Sequence, residues 1–243
     1  MNLLILGANS DIAYAIGKKF VQYEKANLYL ASRDVELLQK KVKDIQARSN
    51  VNAQALFFDA LDYTSHQSFY SGLGIQPDGV VLAFGYFGDQ KEAQQDFKKA
   101  RHIIEANFTG AASILEVIAT DFEQRQQGFI IGISSVAGDR GRQSNYIYGS
   151  AKGALTIYLA GLRNRLHKSN VQVITVLPGY ARTKMTAQME LPEILMADPD
   201  EVAEDVYNAY RKGKDIIYTK WFWRVIMFLI KITPEKIFKR LQM

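Results

Sequence analysis

Tyr148 and Lys152 stand four residues apart in Ser144-Asn-Tyr-Ile-Tyr-Gly-Ser-Ala-Lys152, and Ser135 lies thirteen positions before the tyrosine. On a helix, positions i and i+4 share a face, so a phenol and an ammonium can meet in one cleft. A phenol with a pKa near ~10 is a poor acid or base at neutral pH. A lysine charge beside it favours the phenolate and moves that pKa toward the working range. A serine hydroxyl nearby can hydrogen-bond a substrate oxygen. Together these are the parts for moving a proton on or off a carbonyl or carbinol oxygen. The chain has 13 tyrosines, so Tyr-x-x-x-Lys alone also arises by chance. Its weight comes from its place in a series of other signals.

Those side chains need a scaffold. Short apolar runs at 3–6, 27–31, 52–57, 79–84, 128–133 and 172–177, with a weaker one at 216–218, alternate with amphipathic stretches near 11–24, 34–48, 64–73, 93–120, 146–167 and 199–212. Buried apolar strands alternating with helices predict an α/β fold, a doubly wound parallel seven-stranded sheet with helices on both faces. At 243 residues, 48% hydrophobic and 23% charged, the chain suits one globular unit. The catalytic domain is expected over 1–219, with 220–243 as a separate basic, aromatic segment.

Several function classes fall away. With no cysteine, disulfides and thiolate metal sites are excluded. His66, His102 and His167 have no metal-ligand spacing, so no metal is expected. The N-terminal apolar run is too short for a signal peptide and lacks a basic lead, which points to the cytoplasm. The net charge of +5 sits in the tail: residues 220–243 carry six basic residues against Glu235, leaving 1–219 neutral. A nucleic-acid partner is therefore not expected.

The ends of the apolar runs carry the remaining signals. Gly7-Ala-Asn-Ser-Asp-Ile-Ala13 follows the first run. A glycine at a strand-to-helix turn lets backbone approach a pyrophosphate, with Ser10 as a further donor and Asp11 and Ile12 opening the helix. An ordinary turn is the competing reading, because the later glycines of such loops are absent. The second run ends in Ala31-Ser-Arg33-Asp34. Arg33 and Ser32 there suit a ribose 2′-phosphate, favouring NADP(H) over NAD(H), while Asp34 suits a helix cap. Asp59 follows the third run and suits an adenine contact. Ala83 and Gly85 end the fourth. Asn107 lies inside an apolar helix, where its propensity is poor and a specific role is implied.

In this order the chain resembles the short-chain dehydrogenase/reductase family, over roughly residues 2–218. The resemblance rests on the glycine loop, Asp59, Ala83-Phe-Gly85, Asn107, Ser135, Tyr148, Lys152 and Pro178-Gly179. The glycine loop and Ala-Phe-Gly depart from the family's Gly-rich and Asn-Ala-Gly forms. The resemblance implies a single Rossmann-type domain and hydride transfer between a nicotinamide and a ketone or secondary alcohol. Tyr148 would be the general acid or base, and Lys152 would lower its pKa and hold the nicotinamide ribose. Ser135, rather than Ser134, would polarise the carbonyl. Asn107 would hold a water of the proton relay. Pro178, Gly179 and Thr183 would line the nicotinamide, and residues 184–197 would form a lid. A homodimer or homotetramer would be usual.

Arg140 and Arg142 lie between Ser135 and Tyr148. They suit a phosphate or carboxylate on the substrate, or else a solvated or subunit-contact loop. The tail, with Trp221-Phe-Trp-Arg-Val-Ile-Met-Phe-Leu-Ile230, is too short to span a bilayer. Its aromatic and basic residues suit an interfacial membrane segment, an oligomer arm, or packing on its own chain. The arginine loop and the tail together suggest a lipid-linked or phosphorylated substrate and peripheral contact with the inner membrane surface. The stretch from Ser135 to Lys152 also resembles the keto-reductase of decaprenylphosphoryl ribose epimerisation, implying a keto sugar on a polyprenyl phosphate. The alternative from another class is a dinucleotide-binding regulatory or scaffold protein docked by its tail.

Overall fold

The computed structural model describes residues 1–187 and 192–241. Strands β1 (Asn2–Leu6), β2 (Asn27–Ser32), β3 (Ala53–Phe57), β4 (Gly79–Leu82), β5 (Gly128–Ile133), β6 (Val171–Pro178) and β9 (Ile216–Thr219) form one sheet in the order β3-β2-β1-β4-β5-β6-β9. Every pairing in it is parallel. A separate two-residue pair, β7 (Tyr180–Ala181) with β8 (Met196–Ala197), lies beyond the end of β6. The expected α/β, doubly wound, seven-stranded architecture is the observed one.

Leu3, Leu4, Ile5 and Leu6 are all fully buried, which is why β1 reads as a continuous apolar run. Helices cover both faces of the sheet. On one face α1 (Asp11–Glu24), α2 (Val35–Arg48) and α8 (Pro199–Arg211) bury Ile16, Phe20, Leu38 and Val206 against Leu3 and Ile5. On the other, α6 (Gly110–Arg125) and α7 (Tyr146–Leu166) bury Ile114, Phe122, Leu155 and Leu159 against Leu4 and Leu6. Each such side chain contributes about 1.5–3 kcal/mol on burial. Local signals set the helix starts: Ser10 caps α1 by accepting from Ala13 N, and Asp34 caps α2 by accepting from Leu37 N at 2.9 Å.

The structure departs from expectation in three places. The helix expected over 93–120 is instead α4 (Gln90–Gln95), α5 (Phe97–Ile104), a π-helical turn (Glu105–Thr109) and α6. Asp96 breaks the run because its extended backbone and its carboxylate, accepting from Lys98 N at 2.9 Å, start a new helix. The helix expected over 64–73 contracts to a 3-10 turn and α3 (His66–Ser71). The tail forms α9 (Phe222–Ile232) and α10 (Glu235–Phe238). Trp223 and Met227 of α9 are buried with Val136 and Leu177, so packing on its own chain is realised on that face.

The strand order reverses between β1 and β4. In such sheets the crevice at the carboxyl ends beside the reversal is where ligands bind, and the candidate residues gather there.

Candidate active site

A cavity of about 720 Å³ opens at the carboxyl ends of β1, β2, β4, β5 and β6. Gly7, Ser10, Asp11, Ile12, Ser32, Arg33, Asp59, Ala83, Gly85, Ser135, Arg142, Tyr148, Lys152, Pro178, Gly179 and Thr183 all line it. Residues from Gly7 to Thr183 are thus brought to one cavity.

At one end, Gly7 has φ +83°, a left-handed conformation, and a Cβ there would overlap the Phe84 backbone. Only glycine fits this turn, although later glycines are absent. Asn9 ties the loop to the end of β2: its Nδ2 donates to Ser32 Oγ at 3.1 Å and to the Asp34 carbonyl at 2.9 Å. Asn9 Oδ1 is buried without a partner. Arg33 is exposed at the cavity wall, while the Asp34 carboxylate is engaged at the α2 N-terminus. Asp59 uses one carboxylate oxygen to accept from Leu61 N at 3.0 Å. A glycine cradle, a helix N-terminus and a cation at the end of β2 fit a dinucleotide phosphate set.

At the centre, α7 places Tyr148 and Lys152 on one face, and both are buried. Lys152 Nζ donates to the Ile133 carbonyl at 3.1 Å and lies 5.9 Å from the centre of the Tyr148 ring. Burial brings the Lys152 ammonium down to about 8. Burial pushes the Tyr148 phenol up to about 12, and the Ser135 hydroxyl acts in the lowering direction. Where the sequence predicts a phenol moved toward the neutral range by Lys152, burial instead sets the direction, upward. Phe87 packs on the Tyr148 ring, centroids 4.8 Å apart.

The two serines separate cleanly. Ser134 is buried, with Oγ donating to the Lys152 carbonyl at 2.9 Å and lying 2.7 Å from Thr156 Oγ1. Ser135 is half-buried, and its Oγ accepts from Ala137 N at 3.1 Å, leaving its hydroxyl proton for another acceptor. Asn107 sits in the π-helical turn, a feature frequent at functional sites. Its Nδ2 donates to the Tyr86 carbonyl at 2.6 Å and the Ile103 carbonyl at 2.8 Å. A Cβ on Gly85 would lie 2.6 Å from Asn107 Oδ1 and 3.3 Å from Lys152 Nζ, so both groups flank this glycine.

At the far end, the segment after β6 is held from two sides. Asp11 accepts from Lys184 N at 3.0 Å, joining the first helix to the Thr183 region. Trp223 of α9 presses on Gly179 so closely that a Cβ there would overlap the indole. Trp223 Nε1 donates to the Leu195 carbonyl at 3.3 Å. Of the lid expected over 184–197, residues 188–191 lie outside the described residues.

The arginine pair splits. Arg140 is not a cavity residue. It donates to the Ile230 carbonyl and, at 2.6 Å, to the Thr233 carbonyl, pairs with Glu235 at 2.8 Å, and stacks 3.7 Å from the Phe238 ring centre. The expectation of a substrate contact is corrected: Arg140 caps the C-terminal end of α9, where free carbonyls favour a cation. Arg142 does line the cavity. Its Nη2 is 3.1 Å from Met227 Sδ, and its Nε is buried without a partner. Burial lowers the Arg142 pKa from its ordinary value. Asn145, also at the cavity, has a buried Oδ1 without a partner.

Sequence reasoning missed Asn9, Phe87, Asn145 and Trp223. Asn9 lay inside the glycine loop and was readable as a turn residue with a side-chain amide. Asn145 lay inside the Ser144–Lys152 stretch, three residues before Tyr148, while Phe87 and Trp223 make their contacts with distant parts of the chain and leave no local pattern.

The family model described as short chain dehydrogenase matches residues 1–193. An uncharacterized oxidoreductase of Mycobacterium tuberculosis is 29% identical over 242 residues, covering 98% of this chain and 96% of the relative. A solved short-chain dehydrogenase from Sphingobium yanoikuyae in complex with NADPH superposes with a TM-score of 0.80 at 21% identity, covering 96% of both chains. A 3-oxoacyl-(acyl-carrier protein) reductase with bound NAD from Brucella melitensis superposes with a TM-score of 0.78 at 20% identity, covering 90% of this chain and 89% of that one.

Proposed function

The chain belongs to the short chain dehydrogenase family of NAD(P)-dependent oxidoreductases, and on that premise we propose that it reduces a ketone to a secondary alcohol with NADPH. The observation that carries this reading is the meeting of Tyr148, Ser135 and Lys152 at one cavity wall. A phenol pushed up to about 12 is protonated across the neutral range, which is the form that donates a proton. In that form Tyr148 can serve as the general acid of a reduction.

Each side chain then has a distinct task. Tyr148 Oη gives its proton to the carbonyl oxygen. Ser135 Oγ donates a hydrogen bond to the same oxygen and polarises it. Lys152, Thr183 and the backbone at Gly179, all at the cavity, would hold the nicotinamide end of the cofactor. NADPH supplies the hydride. Asn107, in the π-helical turn, holds the backbone of Tyr86 next to Gly85 through both ends of its amide.

NADPH is favoured over NADH by charge at the end of β2. A carboxylate free there would bind a ribose 2′-hydroxyl and repel a 2′-phosphate. In this chain the Asp34 carboxylate is committed to capping α2, and Arg33 stands at the cavity wall. Among the structural relatives one holds NADPH and another NAD, so the preference rests on Arg33.

The substrate class we propose is an anionic ketone, with a lipid-linked or phosphorylated keto sugar as its specific form. Arg142 Nε supports the anionic group and Asn145 Oδ1 supports a hydroxyl, since both are buried at the cavity without partners. The test is NADPH consumption with a polyprenyl-phosphoryl keto-pentose, a keto-sugar phosphate and a neutral small ketone. Preference for the anionic substrates, lost in Arg142→Ala, supports the class. Equal turnover of all three contradicts the class but not the reaction.

A further inference from the structure

We propose that the outer face of α9 docks on the surface of an anionic lipid bilayer. This surface is separate from the reaction chemistry and does not depend on it.

Helix α9 is apolar on two sides. Its inner side is fixed to the body by Trp223 and Met227, which are 3% and 0% exposed. Its outer side carries Trp221, Val225, Phe228 and Ile232, spaced four, three and four residues apart, so they share one helical face. These four are 77%, 50%, 61% and 58% exposed, and Leu229 beside them is also exposed. Ile237 and Leu241 continue the exposed apolar surface. A contiguous apolar face of this kind marks an interaction surface.

Charge names the occupant. Arg224 and Lys231, seven residues apart and exposed, run along one flank of the stripe. Lys236, Lys239 and Arg240 are exposed just beyond it. The only acidic residue of the tail, Glu235, is held by Arg140. The tail carries a net +5 against a neutral remainder; Lys231 lies 4.0 Å from Asp139 and Lys220 3.4 Å from Glu201, while Arg224, Lys236, Lys239 and Arg240 stay exposed. A second copy pairing through the same face would bring identical cations together, which opposes association. An anionic headgroup layer matches them, and aromatic and basic side chains around an apolar stripe are the pattern of interfacial helices. At 11 residues α9 is too short to cross a bilayer, which takes about 20.

The inner side of the docked helix backs two residues that line the cavity. Trp223 presses on Gly179, and Met227 touches Arg142. Docking through the outer side leaves these inner contacts in place and brings the substrate end of the cavity beside the lipid surface.

The test uses the full chain with vesicles of phosphatidylcholine alone and vesicles of phosphatidylcholine mixed equally with phosphatidylglycerol. Co-sedimentation is measured at low and high salt, alongside the double variant Trp221→Glu/Phe228→Glu. Both replaced side chains are exposed, so its melting temperature should match the wild type. The proposal expects at least about tenfold stronger binding to the anionic vesicles, weakened by salt, and lost in the double variant. Absence of binding, equal binding to both vesicles, or a double variant that binds like the wild type would overturn it. So would a wild-type dimer in sedimentation velocity that the double variant converts to monomer while neither protein binds vesicles.

Discussion

The Trp223 indole occupies the space that a side chain on Gly179 would need. One residue belongs to the tail and the other to the turn after β6, 44 positions earlier. Their contact makes the tail a support behind the active-site wall. Gly179→Ala forces the indole out and should raise the KM for the nicotinamide cofactor. Trp223→Ala empties a buried site and should cost about 3–5 kcal/mol of stability. The double variant should be less destabilised than the sum of the two, by about 0.5–3 kcal/mol. Thermal and urea melts of the four proteins measure this coupling.

Ser134 and Ser135 are adjacent but should fail differently. Ser134→Ala removes a buried hydroxyl bonded to the Lys152 carbonyl and close to Thr156, and should lower stability by about 1–3 kcal/mol. Ser135→Ala removes the cap on Ala137 N, which should cost about 0.5–2 kcal/mol, and should lower kcat by about 10²-fold or more, as for loss of one oxyanion donor. Melting temperature and kcat on the same preparations separate the two.

Arg33→Ala should weaken NADPH and spare NADH. A charge-assisted phosphate contact is worth about 1.5–3 kcal/mol, so the KM for NADPH should rise by roughly 10- to 100-fold. The ratio of kcat/KM for the two cofactors, measured in both proteins, reports it.

Lys152 links activity to stability through pH. Its pKa is depressed by burial from 10.5 to about 8. Between those values the unfolded chain binds more protons than the folded one, so stability rises with pH across that window. Below about pH 8 the buried cation is a standing cost on the order of 3 kcal/mol. Lys152→Met should therefore be more stable than wild type at neutral pH, with the gap closing as pH rises toward 10, and should be inactive. Tyr148 has the opposite sign: its raised pKa removes stability only above about pH 10. Urea melts of both proteins between pH 7 and pH 10 test the lysine assignment.

Much of the site was readable because its signals are local. Leu3–Leu6 is a continuous apolar run followed by Gly7, and Tyr148 and Lys152 keep helical spacing. The unreadable parts are decided by contacts across the chain. Arg140 and Arg142 look equivalent in sequence, yet one caps α9 and the other faces the cavity. Trp223 reads as part of an interfacial stripe, and its burial against Gly179 depends on where β6 ends. The break at Asp96 was legible in principle, since an Asp before a new apolar-basic turn is a cap signal.

Tyr148→Phe tests the central claim most directly, because it removes one oxygen from the cavity and leaves the ring against Phe87. Single-turnover oxidation of bound NADPH by a ketone should slow by about 10²–10⁴-fold, while NADPH affinity, measured by fluorescence titration, stays the same. Unchanged turnover with intact NADPH binding would contradict the assignment of Tyr148 as the proton donor.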